Sequence, residues 1–276
     1  MKETRVGSWN ELNEQLYEGS WQEDLGRFRS PYAFRGMADA AYDMMTSLMR
    51  LGNGYKELEN SILRTFKRYA RRYIDVDDDS MWNWLALAQH HGLPTRLLDF
   101  TFSPYVAMHF ATENLEKYNE DAVIWCVNYE ESTDYLPEKL SRILREEEAH
   151  VFTVEMLQQG AATFEELTNL ADRAFIVFLE PPSLDERIVN QFALFALISD
   201  ATLGLEEWLS EHPALYRKII IPAELKWEVR DKLDQANITE RVLYPGLDGL
   251  SQWLKRYYTP ARGKGLHREN STDSTR

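Results

Sequence analysis

The run Trp82-Asn83-Trp84-Leu85-Ala86-Leu87-Ala88-Gln89-His90-His91-Gly92-Leu93-Pro94-Thr95-Arg96-Leu97-Leu98-Asp99-Phe100-Thr101-Phe102-Ser103-Pro104-Tyr105-Val106-Ala107-Met108-His109-Phe110-Ala111 sets polar and charged groups inside a core-like apolar context. Burying Gln89, His90, His91, Arg96 and Asp99 there costs several kcal/mol (about 2 to 7 for one unpaired polar group) unless each is paired, so a functional site or a structural polar network is expected. The pattern also divides the run. A helix is predicted from about Met81 to His91, ended by Gly92 and Pro94. Ser103-Pro104 opens a second helix, with the serine hydroxyl as cap, proline at the first helical position and Val106, Ala107, Phe110 and Ala111 as its buried stripe. On a continuous helix, consecutive residues point about 100 degrees apart, so only one of His90 and His91 is expected to face a common site, as a donor or base near neutral pH or as a core histidine bonded to a carbonyl. Arg96 and Asp99, three apart after Pro94, are expected to form an internal ion pair that stiffens the loop.

Outward from this block, Ser8-Trp9-Asn10-Glu11 reads as a capping box opening a short helix that buries Leu12 and Leu16. Tyr32 to Gly36 reads as a short strand released by glycine, which would leave Arg35 at the strand's mouth. Leu58, Ile62, Phe66, Tyr69 and Tyr73 repeat with a helical period that predicts an inner face, with Lys67, Arg68, Arg71 and Arg72 at a solvated helix end. The acidic loop Asp75 to Ser80 lacks the glycine and terminal glutamate of a calcium loop, so no metal is expected there. Ala122 to Val127, Ala174 to Leu179 and Arg217 to Ile221 read as strands, and Gln191 to Ile198 as a fourth. Leu205 to His212, Pro222 to Gln235 and Leu250 to Tyr257 read as helices. Residues 130–169, polar and charge-rich, are expected to be peripheral helices and loops, a possible insertion. Residues 259–276 are expected to be a disordered tail. The class is α+β.

The 276 residues carry a net charge of −14, which disfavours generic capture of nucleic acid and leaves the basic cluster at Lys67 to Arg72 as the one local argument for a nucleic-acid-acting protein. One cysteine, Cys126, excludes an internal disulfide, is expected to be a buried free thiol, and fits a reducing cytoplasm. No apolar run approaches the roughly 20 residues of a membrane span, and the start of the chain leads into no stretch of signal-peptide length. Nucleophile elbows, Walker loops and dinucleotide glycine fingerprints are missing, and the histidines show no zinc-ligand spacing.

Taken together, Phe34-Arg35-Gly36, Ser47-Leu48-Met49-Arg50, the Gln89 to Ala111 block, Arg187 to Phe195 and Leu243-Tyr244-Pro245-Gly246-Leu247-Asp248-Gly249-Leu250 resemble the FRG domain family over residues 7–256. Thr46, Phe100 and Ala193 depart mildly from its usual pattern. The element order is also similar to that of ADP-ribosyltransferases, which implies a single domain with a central, mostly antiparallel split sheet flanked by helices, and NAD as substrate. On that resemblance Arg35 pairs with the pyrophosphate or a ribose hydroxyl, and Phe34, Gly36, Gln89, Arg96, Asp99 and Ser103 surround the dinucleotide. His90, His91, Thr101 and Gln191 then stand at the chemistry. Fully active enzymes of that kind often carry glutamate where Gln191 stands, so catalysis requires another inward carboxylate, such as Asp99. The implied roles are transfer or cleavage of ADP-ribose on an unknown macromolecular acceptor or water, as a bacterial toxin or phage-defence effector with a possible neutralising partner protein. The alternative is a non-catalytic ligand- or partner-recognition module with the same pocket.

Overall fold

Every residue of Ala122–Asn128 is buried, and the two faces of that strand show how the protein is layered. Val123, Trp125 and Val127 pack into one apolar core, while Ala122, Ile124 and Cys126 pack into another, as the two-residue period of a central strand requires. The computed structural model describes residues 2–52, 54–74, 78–183 and 185–260. In chain order the strands are β1 (Lys2–Arg5), β2 (Trp21–Gln22), β3 (Arg27–Phe28), β4 (Tyr32–Met37), β5 (Leu97–Thr101), β6 (Ala122–Asn128), β7 (Ile176–Leu179), β8 (Ala193–Ile198) and β9 (Tyr216–Ile221). The helices are α1 (Trp9–Tyr17), α2 (Tyr55–Ala70), α3 (Met81–His90), α4 (Pro104–Thr112), α5 (Glu138–Glu146), α6 (Val154–Gly160), α7 (Phe164–Thr168), α8 (Glu186–Asn190), α9 (Leu205–Glu211), α10 (Lys226–Gln235), α11 (Glu240–Leu243) and α12 (Leu247–Tyr257).

Seven strands form one sheet in the order β1-β9-β6-β4-β5-β8-β7, and β2 and β3 form a separate hairpin. All pairs in the large sheet are antiparallel except β1 with β9. Pairing is not uniform. β4 and β6 are in register from Tyr32 opposite Asn128 to Met37 opposite Val123, and β5 and β8 from Leu97 opposite Leu197 to Thr101 opposite Ala193. Between them β4 and β5 share the single register pair Phe34 opposite Thr101, so the sheet is splayed at its middle. One face carries a continuous core reaching from Val123 and Trp125 to Phe178 and Leu194, covered by α9 through Trp208 and Leu209. The other face carries two cores, one over β5, β7 and β8 beneath α3 and α5 to α7, and one over β4, β6 and β9 beneath α1, α4 and α10.

Local signals explain most element ends. Ser8 Oγ accepts from Glu11 N (3.2 Å) and Glu11 Oε2 accepts from Gly7 N (2.7 Å), a reciprocal cap. Ser80 and Ser103 cap α3 and α4 by accepting from Asn83 N and Val106 N, and Gly92, at φ 80, turns the chain out of α3.

Several expectations are corrected. Gly36 lies inside β4 and releases no turn, because a Cβ there would stand 1.8 Å from Ala107 O, and α4 packs directly on the strand. Residues 130–169 are not peripheral: Leu140, Leu144, Phe152, Leu157, Phe164 and Leu167 belong to the core above β5, β7 and β8, and Trp82 Nε1 donates to Ala161 O at 2.6 Å. Helix α2 buries Glu59, Leu63 and Ala70, a face one residue away from the expected one, leaving Leu58, Tyr69 and Tyr73 exposed. β1 precedes residue 7 and was carried by no apolar signal. The expected disordered tail lies almost entirely outside the described residues, as do Asp75 and Asp77 of the acidic loop; Asp79 of that loop pairs with Lys67 and Arg71. Among the described residues no helix is long and apolar enough to cross a membrane.

Candidate functional site

The splay between β4 and β5 opens into a cleft of about 1090 Å³. Its walls come from β4, β5, the C-terminal ends of α3 and α4, the segment before α2, α8 and Tyr244. A second, apolar depression of about 720 Å³ lies along α2 against Ile62, Phe66, Tyr69 and Tyr73, and shares His91 and Leu93 with the cleft.

Arg35 stands at the splay. Its Nη1 donates to Asp99 O at 2.5 Å, and its Nε is buried with no partner. Burial, the largest influence, pulls its ordinary value down; Asp99 opposes this and Arg50 adds to it. Asp99 accepts from Gln89 Nε2 at both carboxylate oxygens (3.0 Å each), and Gln89 Oε1 accepts from Thr95 Oγ1 (2.5 Å). Thr95 N in turn donates to Ser47 Oγ at 3.0 Å, which ties the cleft wall before α2 to β5.

Both histidines line the cleft, with ring centroids 5.1 Å apart, contrary to the expectation that one would turn away. His91, the C-cap of α3, still donates its N–H to Leu87 O, so the two rings leave the helix end in different directions, with planes 76° apart, and the cleft meets both. His90 Nε2 lies 2.6 Å from Asp185 Oδ2, while Asp185 Oδ1 caps α8 by accepting from Ile188 N. Burial lowers His90 below its ordinary value, opposed by Asp185.

Thr101 and Gln191 reach the cleft, but their polar groups serve the backbone. Thr101 Oγ1 donates to Gln191 O (2.7 Å) and accepts from Ser103 N (3.0 Å), and Gln191 Nε2 donates to Leu243 O (2.9 Å). Gln191 caps α8 and precedes β8, so it is not a strand residue as expected. Ser103 is engaged as the cap of α4, accepting from Val106 N (3.4 Å), and does not line the cleft. Phe34 is fully buried beneath α1 and α4.

The expected Arg96 to Asp99 pair does not form, because residues three apart on an extended chain face opposite sides of the sheet. Arg96 turns away from the cleft to a buried bidentate pair with Glu59 of α2, with Nε 2.6 Å from Oε1 and Nη2 on Oε2. It also donates to Ser199 O (3.1 Å) and lies over the Phe164 ring at 4.2 Å.

Among the cleft residues not singled out as site residues, four bear on its chemistry: Arg50, Glu113, Arg187 and Tyr244. Three of these fall inside the quoted family stretches, which was the available signal, whereas Glu113 sits just past the quoted block. The Arg187 guanidinium lies over the Tyr244 ring at 5.1 Å, and its Nε is buried without a partner. Tyr244 Oη donates to Glu113 Oε2 at 3.3 Å. Gly249 lets α12 approach this segment, since a Cβ there would stand 1.9 Å from Tyr244 O. Among the described residues no group of three or more His, Cys, Asp or Glu is placed to hold a metal ion.

A mixed α/β protein with one splayed seven-stranded sheet and a polar cleft at the splay is thus the class that fold and site define. Residues 30–120 match the FRG domain. That match spans β4 through α4, the elements that build the cleft's floor and two of its walls. Comparison with curated proteins and with solved structures finds no match.

Proposed function

We propose that the cleft binds NAD and that the protein is an ADP-ribosyltransferase-like enzyme, transferring the ADP-ribosyl group or cleaving it from nicotinamide. The observation that carries this reading is the pair of guanidiniums, Arg35 and Arg187, which line one cleft and each keep a buried Nε with no partner. A buried N–H donor left unpaired costs about 1 to 3 kcal/mol, and an anionic oxygen supplied by a ligand removes that cost. A diphosphate offers several such oxygens, and a volume of about 1090 Å³ suits a dinucleotide. His90 and His91 add donors at the rim.

Calorimetry with NAD and with ADP-ribose tests this. Saturable binding that weakens at least about tenfold in Arg35→Ala is expected. Absence of binding at millimolar ligand removes the reading.

A second reading, a recognition module that binds without turnover, is favoured by one specific fact: the Thr101 hydroxyl and the Gln191 amide already donate to main-chain carbonyls. Release of free nicotinamide from bound NAD separates the two.

A further inference from the structure

We propose that Glu113 is the catalytic carboxylate of this cleft, held toward the substrate by a buried line of charges that reaches it through His109; this rests on the NAD reading above. Three carboxylates line the cleft, Asp43, Asp99 and Glu113. Both oxygens of Asp99 are engaged by Gln89, which is itself fixed by Thr95. Asp43 stands on an irregular segment with no hydrogen bond from its side chain among the described residues. Glu113 is different, because an assembly stands behind it.

His109 is fully buried, with Nδ1 2.7 Å from Arg230 Nη1 and Nε2 3.2 Å from Glu113 Oε2. A guanidinium only donates, so Nδ1 carries the lone pair and the ring proton sits on Nε2, which lies close to the carboxylate without hydrogen-bond geometry to it. Burial, the largest influence, and Arg230 both lower His109, so the ring is neutral and adds no charge. Arg230 also donates to Ile238 O and lies 3.5 Å from Asp234 Oδ1. Arg256 closes the line, with Nη2 2.6 Å from Asp234 Oδ1 and Nε 2.5 Å from Glu240 Oε1. The charges of Arg230, Asp234, Arg256 and Glu240 cancel, which leaves the negative charge of Glu113 at the cleft end beside the neutral His109 ring at 3.2 Å and, among the described residues, hydrogen-bonded by the Tyr244 hydroxyl. A buried ionic network of this kind is rarely the most stable filling for a core, so its retention points to what it positions.

Tyr244 sets the spacing. Its hydroxyl holds Glu113 Oε2 and its ring carries Arg187, so a cation and an anion flank one side chain. NAD has the matching polarity: an anionic diphosphate, and a glycosidic carbon that becomes positive as nicotinamide leaves. The C1′–N bond breaks with its electron pair going to the nicotinamide nitrogen, which neutralises the pyridinium. Glu113 Oε1, unpartnered among the described residues, stabilises the cationic ribosyl centre. Water then forms the new C1′–O bond and releases a proton, giving ADP-ribose, nicotinamide and H⁺.

The experiment uses the full chain with NAD, follows nicotinamide release by chromatography, and measures ADP-ribose affinity by calorimetry on the same preparations. Glu113→Gln keeps the size and removes the charge. Its kcat is expected to fall about a hundredfold or more, with KM and ADP-ribose affinity within about threefold of the parent. Glu113→Asp, which restores the charge on a shorter stem, is expected to recover part of the loss, and thermal melts of both variants check the fold. Equal turnover by parent and Glu113→Gln overturns the proposal. Parent protein that binds ADP-ribose but releases no nicotinamide overturns it too and leaves the binding reading standing. Failure to bind either ligand at millimolar concentration overturns both.

Discussion

Arg35 on β4 reaches across the splay to donate from Nη1 to the main-chain oxygen of Asp99 on β5, at 2.5 Å, beside the one register pair that joins these strands. One guanidinium therefore does two things: it bridges the two halves of the sheet where ladder hydrogen bonds are scarce, and it lines the cleft with an Nε that has no partner.

Lysine at this position keeps the charge and loses the fork, so Arg35→Lys separates the two roles. It can reach either Asp99 O or a ligand oxygen, but not both in one geometry. We expect ADP-ribose affinity to fall about tenfold, or about 1.4 kcal/mol, with a smaller fall in melting temperature than Arg35→Ala gives. Calorimetry and thermal melts on the same samples check this, and unchanged affinity in Arg35→Lys would show that the fork has no part in binding.

The close approach of α4 to β4 makes Gly36 intolerant of any side chain. A Cβ at 1.8 Å from Ala107 O and 2.7 Å from Ala111 N meets backbone that cannot rotate aside, so α4 must move as a unit. Gly36→Ala is expected to lose at least about 3 kcal/mol, the upper end of ordinary overpacking penalties. Urea unfolding reads it; a loss under about 1 kcal/mol would mean the contact relaxes easily.

Glu59 and Arg96 form a buried bidentate pair, and neither lines the cleft. Arg96→Met alone leaves a buried carboxylate unpaired and is expected to lose about 3 to 5 kcal/mol, whereas Arg96→Met with Glu59→Leu is expected to recover most of it. Equal losses in the single and double variants, measured by urea unfolding, would refute this. The same pair explains what the sequence could not show. Apolar spacing alone places Leu58, Ile62, Phe66, Tyr69 and Tyr73 inward, but the ion pair rotates α2 by about one residue, and no local pattern announces a partner 37 positions away. Capped helices α1 and α4 and the apolar strands β6 and β7 were legible because their signals are local. The 130–169 stretch was not, since its polar majority hides a strongly one-sided α5 in which Leu140, Ile143 and Leu144 are buried. β1 is polar throughout and joins the sheet only through its pairing with β9. In the cleft, Arg35, Gln89, His90, His91, Asp99, Thr101 and Gln191 do come together, as their shared block and motifs implied. Which polar groups remain free there depends on backbone partners such as Leu243 O and Asp99 O, and these are invisible in a residue pattern.

Cys126 is fully buried in β6, and burial, the largest influence, pushes its thiol up to about 12. A thiol in that state carries almost no thiolate at neutral pH and is shielded from reagents. An aromatic disulfide reagent is therefore expected to label none of the native protein within minutes and one thiol per chain in denaturant. Prompt labelling without denaturant would show that β6 opens locally.

The buried histidines set a pH dependence of stability whose sign follows from their partners. His90 and His109 are both lowered from their ordinary 6.5, with burial the largest influence on each and the carboxylates Asp185 and Glu113 opposing it. A histidine lowered on folding is protonated first in the unfolded chain as pH falls, so the unfolded state binds more protons and gains ground. The stabilisation is complete above 6.5 and declines as pH drops from 6.5 toward the folded values. Each histidine can contribute a slope of at most about 1.4 kcal/mol per pH unit in that window. Lowered carboxylates such as Asp39 and Glu240 act elsewhere, since their stabilisation is lost only as pH falls through their ordinary 3.8 and 4.5 and below. Urea unfolding from pH 7.5 to 5.5 is therefore expected to show stability falling with pH in the parent and a flatter profile in His109→Gln. A flat parent profile would mean that His109 takes up its proton inside the fold, and the neutral ring beside Glu113 would then have to be abandoned.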